Sequence, residues 1–218
     1  MIIKLKPGEL QKLIPAVATG KQFNSSSGDP QKILQRFMIS SIGGVLILLI
    51  SQSQVTSQLY PFWLILGVSC LLYILWGPIL EASLKNSELR KYNKAALFQG
   101  EITSIYTKEK IINRHEQANK LGELELIENR RTWMVLELSD EDGYLVDLKF
   151  PLEDKHQNIR VGSKIRCLIF SINNTYENQI VTSDAWLPKQ KLWVGEYPYL
   201  LRPAFEELCF YRINEESY

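Results

Sequence analysis

From Phe37 to Leu80 the chain carries no Asp, Glu, Lys, Arg or His, a run of 44 residues. Little else in the sequence limits the fold as tightly. A helix rises about 1.5 Å per residue and the hydrocarbon core of a bilayer is about 30 Å thick, so one crossing needs roughly 20 apolar residues. The run therefore accommodates two crossings and a turn. A core helix of a soluble protein is rarely free of charge for this long, because its outer face must meet water.

The first predicted span runs from Phe37 to about Val55, around Ile42-Gly43-Gly44-Val45-Leu46-Ile47-Leu48-Leu49-Ile50. The second runs from about Leu59 to Leu80. Between them, Ser51-Gln52-Ser53-Gln54-Val55-Thr56-Ser57-Gln58 is polar and uncharged and reads as a turn. Tyr60, Trp63 and Trp76 stand towards the ends of the second span, where aromatic rings suit the membrane interface. Gly77-Pro78 is placed to end or kink it.

The flanks give the orientation. Residues 1–36 hold six Lys/Arg against Glu9 and Asp29, and Lys85, Arg90, Lys91 and Lys94 follow the second span against Glu81 and Glu88. Basic flanks stay on the side of insertion. Both termini are expected on the cytoplasmic or stromal side, with the turn 51–58 on the opposite, lumenal side. The first apolar stretch begins too late for a signal peptide. Cys70, Cys167 and Cys209 do not make a disulfide framework.

Around this anchor the expected organisation is a basic N-terminal segment (1–35), the transmembrane hairpin (36–80), a juxtamembrane helix (81–97), a soluble β-domain (98–187) and an aromatic tail with a short helix (188–218). Pro7 and Pro15 bracket a short helix in the first segment, and Thr19 to Pro30 reads as loop. In the β-domain, alternating runs at Phe98–Tyr106, Trp133–Leu138, Tyr144–Phe150, Lys164–Phe170 and Gln179–Trp186 predict short strands. Asp142-Gly143 gives a hairpin between the second and third of these. Five or six short strands predict a small antiparallel barrel or sandwich. Arg114 to Asn129, charged and helical in its early part, is expected to project from it. The fold class is therefore a membrane-anchored α+β protein.

Candidate chemistry is sparse. His115 and His156, the only histidines, lie in polar surroundings and read as surface residues. No zinc motif, phosphate-binding loop or nucleophile elbow is present, so no catalytic, cofactor-binding or metal-binding residue is assigned. Ionisable residues within spans mark solute and proton pathways, and these spans have none. Residues 101–218 hold 15 basic and 20 acidic side chains, which speaks against a nucleic-acid platform. The candidate partner-binding residues are structural. Gly43, Gly44 and Gly67 allow close helix packing, with each other or with a larger membrane partner. Trp193, Tyr197, Tyr199 and Phe205 either cover one end of the barrel or anchor a partner.

Leu13-Ile14-Pro15-Ala16-Val17-Ala18-Thr19-Gly20-Lys21-Gln22, Leu72-Tyr73-Ile74-Leu75-Trp76-Gly77-Pro78-Ile79, Gly122-Glu123-Leu124-Glu125-Leu126-Ile127-Glu128-Asn129-Arg130 and Leu192-Trp193-Val194-Gly195-Glu196-Tyr197-Pro198-Tyr199-Leu200 resemble segments of a family of small two-span membrane proteins. That family belongs to cyanobacteria and chloroplasts, and its members are often labelled phosphate-transporter permeases. The resemblance implies a thylakoid location and a part in photosystem biogenesis or stabilisation. The expected function is a non-enzymatic accessory factor for a larger membrane complex. An auxiliary transporter subunit or small oligomeric channel, and a membrane-bound enzyme, are the alternatives.

Overall fold

The computed structural model describes residues 1–6, 8–92, 94–118, 124–171 and 181–215. They fall into two units. Met1–Leu13 joins Tyr92–Tyr218 in one, and Ile14–Lys91 forms the other.

The first unit is built on a seven-stranded antiparallel sheet. Its strands are β1 (Ile2–Lys4), β2 (Lys94–Ala118), β3 (Leu124–Ser139), β4 (Leu145–Pro151), β5 (Lys164–Ser171), β6 (Val181–Leu187) and β7 (Leu192–Val194). They lie in the order β4-β3-β2-β5-β6-β7, and β1 pairs with β2. Alternation in β4 places Val146, Leu148 and Phe150 inward. They join Phe98, Ile102, Leu136, Leu138, Ile165 and Ala185 in one buried cluster. The Asp140–Tyr144 turn works as the sequence implies: the Asp140 carboxylate accepts the N–H groups of Asp142 and Tyr144, and Gly143 takes φ +79.

Closure is where the expected barrel fails. The sheet is open, with β4 and β7 as its end strands. A barrel needs a ladder between the two ends, and the three residues of β7 offer too short a partner for β4. Beside β4, the 3₁₀ turn Asp154–Asn158 seats His156 edge-on against Phe150, ring centroids 4.7 Å apart. His156 is thus a buried structural residue and not the surface residue its polar neighbours suggested. Its Nδ1 accepts the Glu153 N–H at 3.0 Å, and burial pushes its pKa down, keeping the ring neutral.

The charged stretch from Arg114 is not helical where it is described. Beyond the Trp133–Pro151 pair, β2 and β3 pair only with each other, as a two-stranded ribbon from Glu109 to Ala118 and from Leu124 to Thr132. Ten residues at about 3.3 Å each carry the ribbon roughly 30 Å past the sheet. At the start of the basic N-terminal segment, Ile2–Lys4 forms a strand that the sequence reading did not include. The short helix α1 (Glu9–Leu13) follows it.

The second unit is helical. Thr19 to Pro30 is not loop: it forms α2 (Gly20–Ser27), started by a capping box in which the Thr19 hydroxyl and the Gln22 side chain exchange bonds with each other's backbone N–H. Gln22 and Asn86 then form a reciprocal amide pair, both bonds 3.0 Å, buried within the unit. Asp29 caps α3 (Pro30–Met38). A π turn, Ile39–Gly43, leads without interruption into α4 (Gly44–Ser53). Together Pro30–Ser53 is one helix of 24 residues, and by length and composition it can cross a bilayer.

The second apolar segment is different. It divides into α5 (Tyr60–Leu71) and α6 (Tyr73–Arg90), bent by 78° at Leu72. The expected continuous span from Leu59 to Leu80 is therefore broken. The break lies at Leu72, while the helix runs straight through Pro78. The cause is visible in the backbone bonds. Ser40 in the π turn accepts the freed N–H of Ile74 at 2.9 Å, and the Trp76 indole donates to the Ser69 carbonyl at 2.9 Å. Kinks arise where side chains insert into the helical ladder in this way.

Arg36 and Glu81, the charges immediately bounding the apolar run, pair with each other. Lys32 and Lys85 also reach Glu81, at 2.6 and 3.4 Å, and Arg36 donates to the Ser26 carbonyl at 3.1 Å. A Cβ on Gly77 would lie 3.2 Å from the Tyr73 ring and in ordinary contact, 3.5 Å, with the Arg36 Cδ. Removing one partner of a buried ion pair strands the other at a cost of about 3–5 kcal/mol. Arg36 is 7% exposed but Glu81 28%, so Glu81→Ala is expected to destabilise the helical unit by about 2–4 kcal/mol. The pairing of Glu81→Leu with Arg36→Met should recover most of that loss. Denaturant titration of the chain in detergent micelles, read by tryptophan fluorescence, checks both values.

Candidate membrane and partner interface

The helical unit exposes its apolar side chains. Only 17% of the most apolar stretch of Pro30–Ser53 is buried. Ile33, Leu34, Phe37, Met38, Ile42, Val45, Leu46, Leu49 and Ile50 all face outward, as do Phe62, Leu64, Ile65 and Val68 on α5. Soluble chains rarely present contiguous apolar patches beyond a few hundred Å².

The three glycines singled out in the sequence are brought together between α4 and α5. A Cβ on Gly44 would lie 2.6 Å from the Leu71 Cγ, and one on Gly67 would lie 2.7 Å from the Leu48 Cδ2. One on Gly43 would meet the Cys70 Sγ at 3.1 Å. As one position rises along α4 its partner falls along α5, so the two helices run antiparallel. The absence of side chains here is what lets the backbones approach. Gly44 and Gly67 are buried in this packing and Gly43 is half-buried.

Trp193, Tyr197 and Phe205 are buried and Tyr199 is half-buried. Trp193 stands on β7, and Phe205 on α7 (Arg202–Glu215), a longer helix than the sequence suggested, with Pro203 in its first turn. Their rings meet edge to face at 5.4 Å, and Trp193 stacks on Trp186 at 6.4 Å. The Trp193 indole donates to Glu206 at 2.9 Å, and Arg202 lies over its ring. Tyr197 and Tyr199 pack against each other at 4.8 Å.

Sequence reasoning missed the residue that ties this segment down. Asp184, on β6 and 3% exposed, accepts the Leu200 N–H at 3.0 Å. Gly195 crosses so close that a Cβ would lie 2.8 Å from the Asp184 Cα, at φ +157. Beside it, Ser183 takes up the Leu168 N–H at 3.0 Å, where a register shift interrupts the β5–β6 ladder. The only available signal was an acidic residue in a strand that otherwise carries no charge. Burial pushes the Asp184 pKa up to about 7, against the pull of the Leu200 N–H and the Arg202 charge.

The ribbon supplies a second surface, projecting as the sequence implies but built as paired strands. Leu124, Leu126, Ile111 and Ile112 are exposed on it. Arg114–Glu128 at 3.1 Å and Arg130–Glu109 at 3.2 Å lace its strands together, and Arg130 also reaches Glu128 on its own strand at 3.1 Å. A hollow lies beside the Met1 ammonium, which pairs with Asp140 at 2.9 Å. Burial opposes ionisation of Asp140, but this ammonium and two backbone N–H groups hold its pKa below the usual value. Among the described residues, no group of three His, Cys, Asp or Glu side chains is placed to hold a metal ion. Cys167 and Cys209 are buried free thiols.

This arrangement is one of surfaces and anchors. DUF8619, a family of unknown function, matches residues 3–213. The chain belongs to that family. Its matched region takes in both the helical unit and the sheet. No curated protein and no solved structure matches the chain.

The Asp184 carboxyl yields a pH prediction. A carboxyl whose pKa is higher folded than unfolded binds more protons in the folded state, so stability falls as pH rises. The contribution is fully present below about pH 4 and is lost by about pH 7. Within that window the slope approaches 1.4 kcal/mol per pH unit, the value of one proton. Asp184→Asn keeps the acceptor for Leu200 and should lose this slope. Urea titrations of both chains between pH 4.5 and 8, in detergent micelles, are expected to show the variant gaining on the native chain up to about pH 7 and running parallel above it.

Proposed function

We propose that the protein is a non-enzymatic, membrane-anchored assembly or accessory factor for a larger integral membrane protein complex. In this reading the two apolar segments form a transmembrane helical hairpin. Both termini stay on the cytoplasmic or stromal side, and the turn 51–58 faces the other compartment. The observation that carries the reading is the exposed apolar surface of Pro30–Ser53 and α5, which the described residues of the helical unit leave uncovered. A bilayer covers such a surface at no cost, whereas water does not.

The partner is inferred from the ribbon. A two-stranded ribbon is at best marginally stable alone in water, and this one runs roughly 30 Å past its sheet with leucines and isoleucines outward. Ordering it and exposing its apolar residues makes sense if a second protein receives it. The resemblance to two-span proteins of cyanobacteria and chloroplasts supports a thylakoid location, with a photosystem or its assembly intermediate as the complex. In the absence of any ionisable residue between Phe37 and Leu80, the hairpin serves as anchor and packing surface and not as a conduit.

Affinity purification of the tagged chain from its native membranes in mild detergent, followed by mass spectrometry, tests this. A stoichiometric integral membrane complex is expected. Leu124→Lys with Leu126→Lys should lose the complex while the chain stays in carbonate-washed membranes. Recovery of a lone monomer from wild-type membranes would contradict the reading.

A further inference from the structure

We propose that α6 begins as an in-plane helix of the near membrane interface, its apolar stripe lying in lipid at the boundary of headgroups and acyl chains. The proposal deepens the membrane reading above and rests on it. It changes the second apolar segment from one span into a short span and an interfacial helix.

Three observations lead here. The first is the bend. α5 runs antiparallel along α4, and α6 leaves it at 78°, so when α4 and α5 stand across the bilayer, α6 runs nearly along it. The second is that the bend is built. A broken helix in a membrane must have its freed backbone groups satisfied by protein, since lipid offers no partner. Here the Ile74 N–H is taken by Ser40 and the Ser69 carbonyl by Trp76, each at 2.9 Å. Ser40 is itself buried, and it sits in the π turn. Such turns are single-turn distortions that re-aim side chains. The two apolar segments therefore specify the bend together.

The third observation is the surface that the bend creates. Leu72, Leu75, Trp76, Ile79 and Leu80 recur at helical spacing and are all exposed, Leu75 at 62%. The opposite side of the same turns is closed: Gly77 and Pro78 are buried, and Gly77 packs by Tyr73 and Arg36. The stripe continues the outward apolar surface of α5, so one medium covers both, and under the reading above that medium is lipid. The first charge on α6, Glu81, is turned inward to Lys32 and Arg36. Lengths agree as well. The 12 residues of α5 rise roughly 18 Å, short of a hydrocarbon core of about 30 Å. An interfacial helix sinks its apolar face about 5–10 Å into the boundary, which supplies most of the difference.

Spin labels on single cysteines read the geometry directly. In a Cys70→Ala background, labels at Leu75→Cys, Ile79→Cys and Leu80→Cys are attached to the full chain in vesicles of phosphatidylcholine and phosphatidylglycerol. Labels at Leu46→Cys and Ile65→Cys serve as the internal reference. Collision with oxygen against a water-soluble nickel chelate gives depth. The expected result is one shared, shallow depth at 75, 79 and 80, with 46 and 65 deeper. A straight span would instead separate 75 from 79 by about 6 Å of depth, and that gradient would overturn the proposal. So would labels at 75 and 79 open to the chelate and shielded from oxygen, while 46 stays deep; in that case the membrane reading survives without the in-plane helix. A chelate-accessible label at 46 would remove the membrane reading itself. Ser40→Ala should loosen the bend and introduce a depth difference between 75 and 79 that the parent lacks.

Discussion

The ion pair between Arg36 and Glu81 closes the apolar run on itself. These are the last charge before Phe37 and the first after Leu80, so their contact brings the two ends of 44 uncharged residues to one place. Everything between them must go out and come back. Gly43, Gly44 and Gly67 then let the outgoing and returning helices touch at backbone distance. The excess of cations around Glu81, with Lys32 and Lys85 added, places positive charge at the common end, the sign that an anionic membrane surface would favour under the proposed reading. A single neutralised carboxylate thus fixes the geometry from which the membrane reading follows.

The sheet unit obeys a different constraint. Its core is an open sheet whose end strands do not pair among the described residues, and it is finished by contacts with less regular segments. His156 fills in beside β4, and Asp184 holds the chain leading into α7. Both are buried polar groups, and each has one atom taken by a backbone N–H group, the His156 Nδ1 by that of Glu153 and an Asp184 carboxylate oxygen by that of Leu200. Buried polar atoms with such partners specify where a segment lies more than they add to stability. The cluster of Trp193, Phe205 and Trp186 supplies the apolar area that this placement secures.

Much of this was legible in the sequence and some was not, for physical reasons. The apolar run, the strand alternation and the Asp142-Gly143 turn are local patterns, and they located the helices, the strands and the β3–β4 hairpin. Thr19-x-x-Gln22 is also a local signature of a helix start, but the Ser/Asn-rich residues that follow read more readily as loop. The break at Leu72 was hidden because its causes are distant in sequence: Ser40 lies 34 residues before Ile74. Pro78 drew the expected kink, yet α6 continues through it and the break falls six residues earlier, at Leu72. Barrel closure fails for a related reason, since strand count is local and the meeting of end strands is not. The charge of Arg114 to Asn129 suggested a helix in part, whereas cross-strand ion pairs use those same charges to hold a ribbon. Asp184 shows the limit of residue-type reasoning, because its role depends on a backbone N–H contributed by Leu200.

The central claim is that both ends of the apolar run lie on one side of a membrane and its turn on the other. A membrane-impermeant thiol reagent applied to sealed native vesicles, inside-out and right-side-out, reads it from single cysteines at Ser25, Gln54 and Ser87. The account predicts that Ser25→Cys and Ser87→Cys react from the same face and Gln54→Cys only from the other. Labelling of Ser25→Cys and Ser87→Cys from opposite faces would contradict it.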